Sequence, residues 1–348
     1  MKIAYIVSSL KECGPVLVVK SLTDELVKNN ISVSVFYFDE IPGVIFNCPT
    51  QKISFLDYKI FKGFNIVHSH GIRPDLFIFL HKNKIGAKTV STIHSYIQAD
   101  LSYQKGKVLG KIFTYVWNII LMRHHKILLL SQHMKNHYSP FLINKKLDYV
   151  YNSVSIKDSS KINLDEAIEQ KLMDARKEYT ILGSISNLSK LKGLNQIIQL
   201  LSFEKSLAYI IIGDGDNKQN LVDLATKLNV IDRCYFIGHH QNPYAWLQYV
   251  DVFVMPSYTE GFPLSVLEAG WYKKPILCSA LPIYAELFTA QEIQTFVNNN
   301  IESLKNGLLK ILKNKDTFGE NIYQKISNNY TSNIAMRNHL KIYESLIK

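Results

Sequence analysis

The chain has 348 residues, 47% of them hydrophobic and 20% charged. That is enough for two domains with packed cores, and it excludes a disordered, collagenous or repeat-built chain. Its four cysteines form no CxxC pair, which argues against a zinc site or a disulfide framework and fits a reducing cytoplasm.

The formal charge of +11 is unevenly spread. Residues 1–150 hold 19 Lys and Arg against 9 Asp and Glu, about +10, and the rest is nearly balanced. A basic half-molecule points to an anionic partner, such as acidic lipid or a phosphorylated substrate, or it serves solubility alone. No aromatic RNA-binding motif accompanies the lysines, so nucleic acid is not expected.

In chain order, Met1–Val7 carries one lysine and an apolar run too short for a signal peptide, and reads as a first strand. Further strands are expected at 32–37, 66–69, 89–93, 127–130 and 149–151, with helices near 16–28, 74–82, 107–122 and 132–138. The polar stretch from Ser155 to Lys161, followed by a short charged helix, reads as a linker. Alternation then restarts, with strands at 179–185, 208–213, 234–237, 252–256 and 275–279. Helices are expected at 193–201, 217–228, 243–249 and 264–272, and over the last fifty residues. The pattern predicts two tandem doubly wound α/β domains, 1–155 and 175–330, with a helix over 331–348 packing back toward the first. Ligands bind such sheets beyond the carboxyl ends of the strands, so a cleft between facing domains is the expected site.

The sharpest motif is Pro256-Ser-Tyr-Thr-Glu260-Gly261-Phe262-Pro263-Leu264-Ser-Val-Leu-Glu268. An apolar strand runs into a glycine-containing loop that feeds a helix, with Glu260 in the loop and Glu268 about two turns inside the helix. Loop and helix-start amides suit phosphate or hydroxyl oxygens, and a carboxylate accepts hydrogen bonds from vicinal hydroxyls.

This string resembles the E-x7-E region of the retaining glycosyltransferases of family 4, which have the GT-B fold. Ser184–Gly193, Ile211–Gly215, Phe236–Gly238, Val67–Gly71, Ser91–His94 and Asn152 resemble further segments of that family in its order. The resemblance implies transfer of a sugar from a nucleotide-sugar to a glycan or lipid-linked acceptor, with retention, in bacterial surface polysaccharide assembly. A UDP-sugar is slightly favoured, and neither metal nor cofactor is expected. It implies that Glu268 holds the donor ribose, and that Glu260 contacts the transferred sugar beside the backbone of Gly261 and Phe262, with Pro263 and Leu264 next to it. Lys192 would neutralise the diphosphate. Asn187, Gly213 and Gly215 would line the donor site, and His94 would lie near the sugar. Gly14, His70 and Arg73 would serve the acceptor or the first loop. The chain departs from the family in having Ser186-Asn187 where Gly-Arg is usual, so the bidentate cationic clamp is missing. It also has Trp271–Lys274 where a glycine is frequent, and a single glycine, Gly14, in the first loop.

Two other features stand out. His68 and His70, two apart on a strand, share a face; without further ligands they are expected to line the cleft and not to bind metal. Residues 105–126 join an apolar run to Lys105, Lys107, Lys111, Arg123 and Lys126, as in a membrane-contacting helix or a helix buried on the first sheet. The protein is thus expected in the cytoplasm, at or near the inner face of the membrane. Two other readings stay open: a non-catalytic nucleotide- or glycan-binding partner, and a nucleotide-sugar epimerase of the same architecture. A dehydrogenase lacks its glycine fingerprint here.

Overall fold

The computed structural model describes residues 1–154, 166–240 and 242–348; the polar start of the linker expected over 155–177 lies outside them. The chain divides into two compact units, Met1–Ser155 with Tyr330–Lys348, and Ile156–Asn329.

The first unit runs β1 (Lys2–Ser9), α1 (Gly14–Lys28), β2 (Ser32–Asp39), β3 (Thr50–Lys52), β4 (Ile66–His70), α2 (Ile72–Ile85), β5 (Lys88–Thr92), α3 (Ile97–Lys105), α4 (Lys107–Leu121), β6 (Lys126–Leu129), α5 (Gln132–Tyr138) and β7 (Leu147–Tyr149). Its seven strands pair in parallel in the order β3-β2-β1-β4-β5-β6-β7. Side chains alternate across the sheet. Ala4, Ile6, Phe36, Phe38 and Val67 join Phe61, Phe64, Phe77 and Ile78 in an aromatic core on one face. Edge-to-face contacts such as Phe36–Phe61, with centroids 4.8 Å apart, order that core. The other face carries Tyr5 and His68, which are register partners on β1 and β4.

The second unit runs α6 (Glu166–Glu178), β8 (Thr180–Ile185), α7 (Asn195–Phe203), β9 (Leu207–Ile212), α8 (Lys218–Lys227), β10 (Cys234–Gly238), β11 (Val252–Met255), α9 (Leu264–Trp271), β12 (Ile276–Ser279), α10 (Pro282–Leu287), β13 (Ile293–Phe296), α11 (Ile301–Lys313) and α12 (Lys315–Asn329). Its sheet is parallel, in the order β10-β9-β8-β11-β12-β13. Strands such as β9, Leu207–Ile212, are buried at every residue, as a sheet covered on both faces requires. Lys273, after α9, takes φ +55°, the left-handed conformation that a glycine ordinarily supplies at a helix end.

The chain returns to the first unit at Tyr330. Val154 and Thr331 form a parallel bridge, and α13 (Ser332–Ile347) packs against α1. Tyr343 of α13 is fully buried, and its hydroxyl lies 3.0 Å from that of Tyr5 and 2.6 Å from His68 Nδ1.

Candidate functional site

In a doubly wound sheet, the crevice opens where the strand order reverses. In the second unit that point lies between β8 and β11. The segments leaving these strands are residues 186–194 and 256–263, which hold Lys192 and Glu260. The structure brings the two side chains together: Lys192 Nζ is 2.7 Å from Glu260 Oε1, and the carboxylate is nearly buried.

Several contacts join these loops. The Tyr258 amide donates to the Leu191 carbonyl at 2.8 Å. The Gln196 side chain donates to the Pro256 carbonyl at 2.8 Å. Gly193, at φ +63°, comes so close that a Cβ would stand 2.1 Å from the Pro256 oxygen, which only glycine allows. Ser257 Oγ donates to the same Glu260 oxygen at 2.7 Å, and Ser279 Oγ in turn donates to the Ser257 carbonyl at 2.6 Å. Glu260 is therefore held from two sides. Sequence reasoning missed Ser257 and Ser279, since serines in a strand-end turn carry no signal of their own.

Glu268 is buried on α9. It lies four residues into a helix that begins at Leu264, as expected, and at 3.6 residues per turn that is about one turn inside and not two. Phe262 and Pro263 are buried as well, while Gly261 and Leu264 are half-buried.

Gly213 and Gly215 have an internal reason to be glycine. Gly213, at φ +132°, closes the ends of β8, β9 and β10; a Cβ there would meet the Ser186 carbonyl at 1.9 Å. At Gly215 a Cβ would stand 2.4 Å from Asn187 Oδ1. The exposed Asn187 side chain thus lies over the glycine turn, where a longer side chain would have to leave.

In the first unit the order reverses between β1 and β4. His70 ends β4, Gly14 begins α1 after β1, and Arg73 lies in the first turn of α2. A Cβ on Gly14 would meet open space, and its φ is not left-handed, so the fold itself does not require glycine there. Arg73 is committed to Asp39 at 2.6 Å and covers the Phe38 ring.

His68 and His70 share a face, as expected, but they do not line an open surface: both are buried. The helix α13, unforeseen as a cover for this face, places His339 and Tyr343 against His68. His68 Nε2 is 2.8 Å from Thr92 Oγ1. His70 Nδ1 is 2.7 Å from His94 Nε2, and His94 is half-buried just past β5. Burial holds all four imidazoles below their usual pKa, with repulsion from neighbouring rings adding to it at His68, His70 and His94: His94 at about 3, His339 at about 4, and His68 and His70 well down. They are neutral at ordinary pH. Among the described residues no group of three or more His, Cys, Asp or Glu could hold a metal ion.

On the opposite face, buried Asp75 accepts hydrogen bonds from Ser69 Oγ at 2.6 Å and from Trp117 Nε1 of α4 at 2.8 Å. Desolvation raises its pKa to about 6. Trp117 anchors α4, and Gly110 lets α3 pack closely on it. The outer side of α4 is open: Val108, Leu109, Ile112, Phe113, Tyr115, Val116 and Ile119 are exposed, with Lys105, Lys107 and Lys111 around them. The alternative of a helix buried on the sheet therefore fails for most of its length. Among the described residues no helix is long and apolar enough to cross a membrane.

Comparison with known proteins follows the same lines. A family model described as "Glycosyl transferases group 1" matches residues 165–331. The "O-antigen biosynthesis glycosyltransferase WclY" of Escherichia coli is 34% identical over 361 residues, covering 100% of this chain and 99% of the relative. The E. coli "UDP-Gal:alpha-D-GlcNAc-diphosphoundecaprenol alpha-1,3-galactosyltransferase" is 23% identical, covering 94% and 85%. Anabaena HepE, solved with UDP and glucose, superposes with a TM-score of 0.81 at 15% identity over 99% of this chain and 100% of that one. That likeness bears on the fold alone, and with the two parallel α/β units it gives the GT-B fold.

Proposed function

Because the chain belongs to the group 1 glycosyl transferases, we propose that it moves a hexose from a nucleotide-sugar to a glycan or lipid-linked acceptor during assembly of a bacterial O-antigen or related surface polysaccharide. The observation that carries this reading is the Lys192–Glu260 pair at the β8/β11 switch point, built by two loops 68 residues apart in sequence. The named activities of WclY and of the E. coli galactosyltransferase support the substrate class. That galactosyltransferase's name favours UDP as the donor nucleotide.

In the ligand-free protein the ammonium and the carboxylate neutralise each other. On donor binding, Lys192 turns to the diphosphate and Glu260 is released to accept hydrogen bonds from sugar hydroxyls. Asn187 supplies no charge, so Lys192 carries the neutralisation of the leaving group, helped by loop amides. Glu268 holds the ribose hydroxyls. The reaction breaks the bond from the anomeric carbon to the phosphate oxygen and forms one to the acceptor oxygen on the same face. The acceptor proton passes to the departing diphosphate, and configuration is retained without a covalent intermediate or a metal ion.

The exposed apolar side of α4 and its lysines support docking on the cytoplasmic face of an anionic membrane, where a lipid-linked acceptor resides. Incubation with a panel of UDP-sugars and an undecaprenyl-diphosphate glycan, read by mass spectrometry and NMR of the new linkage, tests the reading. A retained-configuration product supports it; an inverted product removes the mechanism, and no product with any donor removes the activity.

A further inference from the structure

The buried face of the first unit holds an asymmetry that sets the chemistry of His94. His70 is 3% exposed, and its Nε2 has no hydrogen-bond partner, while its Nδ1 lies 2.7 Å from His94 Nε2. Tyr5, His68 and His94 surround the ring, with centroids 5.7, 4.4 and 5.0 Å away. No carboxylate offsets a charge on either imidazole among the described residues, so both are neutral and a single proton lies between Nδ1 and Nε2.

Two arrangements satisfy that hydrogen bond. If His94 Nε2 carries the proton, His70 must carry its own on Nε2, leaving a buried N–H with no acceptor. If His70 Nδ1 carries it, the bare Nε2 is only an unused lone pair. Orphaned buried N–H groups are the rarer and costlier defect. The second arrangement therefore holds. His94, accepting at Nε2, must then bear its proton on Nδ1. Nδ1 of His94 has no partner among the described residues and is not among the buried unpartnered atoms.

We infer that His70 is a positioning residue that fixes the tautomer of His94, so that His94 presents an Nδ1–H donor to a hydroxyl or phosphate oxygen of the substrate and is not a general base. The inference rests on the reading of His94 as a substrate contact, and its two halves separate experimentally. Histidine-selective 15N labelling with long-range 1H–15N correlation NMR reports which ring nitrogen bears the proton, with no substrate present. His94 should show a protonated Nδ1 and an unprotonated Nε2; protonation at Nε2 would overturn the assignment, whatever any variant does.

Two substitutions extend the test. His70→Leu removes the donor, so His94 should populate both tautomers and kcat/KM should fall about tenfold, the equivalent of one neutral hydrogen bond. His70→Asn places a carboxamide N–H near the Nδ1 position and should recover most of that loss, together with the original tautomer. An unchanged His94 tautomer in His70→Leu would contradict the positioning role. His94→Ala with wild-type kcat/KM would instead remove the substrate contact while the spectrum stands.

Discussion

Acidification should unfold the first unit selectively, and the size of the effect can be worked from its histidines. An imidazole titrates near 6.5 in the unfolded chain. His68, His70, His124 and His339 are buried, and their folded pKa values lie well below that, His124 at about 3 and His339 at about 4. A depressed histidine pKa means that the unfolded state binds more protons below pH 6.5. The stability is complete above 6.5 and is lost as pH falls toward the folded values. At pH 5 each such group costs about 2 kcal/mol, a limit set by the unfolded pKa, so the four cost about 8 kcal/mol together. Asp75 works the other way. Its pKa is raised to about 6, and its protonation returns about 1 kcal/mol between pH 8 and pH 5. The net loss of about 7 kcal/mol is comparable to the stability of a whole domain. The second unit holds only His239 and His240 and should change little over this range. Urea unfolding followed by circular dichroism at pH 8, 6 and 5 should resolve an acid-sensitive transition and an insensitive one. His339→Leu should lessen the pH dependence by about one proton. A transition of the first unit that stays at the same urea concentration from pH 8 to pH 5 would refute the reasoning.

Other consequences follow from the second unit and from α4. Glu260→Gln should strengthen binding of the free nucleoside diphosphate by up to about fivefold, about 1 kcal/mol, because Lys192 is no longer neutralised, while sugar transfer falls; calorimetry and turnover measure the two separately. Lys192→Met should lower kcat by about 10²–10³-fold if it stabilises the leaving group, and an equal fall in affinity with kcat intact would assign it to binding only. Gly213→Ala should destabilise the second unit by about 2 kcal/mol or more, since the added Cβ meets the Ser186 carbonyl at a left-handed φ. Gly14→Ala, with open space around it, should leave the melting temperature alone. Ile112→Asp with Val116→Asp should abolish retention on anionic vesicles at low salt without shifting the melting temperature, as both side chains are exposed.

Most strands were legible because buried parallel strands are short β-branched and apolar runs, as in Ile181–Leu182 and Leu207–Ile212. The missed β3, Thr50-Gln51-Lys52, is an exposed edge with no apolar side chain to mark it. The missed β13, Ile293–Phe296, buries only its two ends. The missed α3 has Ile97 as its one buried residue and owes its place to packing against Gly110 of α4. The E-x7-E string located Glu260 and Glu268 on sequence alone, yet nothing local shows that Lys192 reaches Glu260, because that pairing depends on the β8/β11 adjacency. The spacing of His68 and His70 gave their common face correctly, but not their burial. Their partners Thr92, His94, His339 and Tyr343 lie 24 to 275 residues away, and a two-residue pattern cannot report what covers it.

The central claim is that the second unit holds a nucleotide-sugar donor through Glu268 and the Lys192–Glu260 loops. Its most direct test is thermal stabilisation of the wild type and Glu268→Ala by UDP, GDP, ADP, CMP and their sugar conjugates, since a ligand of the folded state raises the melting temperature with its affinity. The account predicts a shift with one nucleotide family, UDP first, that disappears in Glu268→Ala. An equal shift in both proteins, or none with any nucleotide, would contradict it.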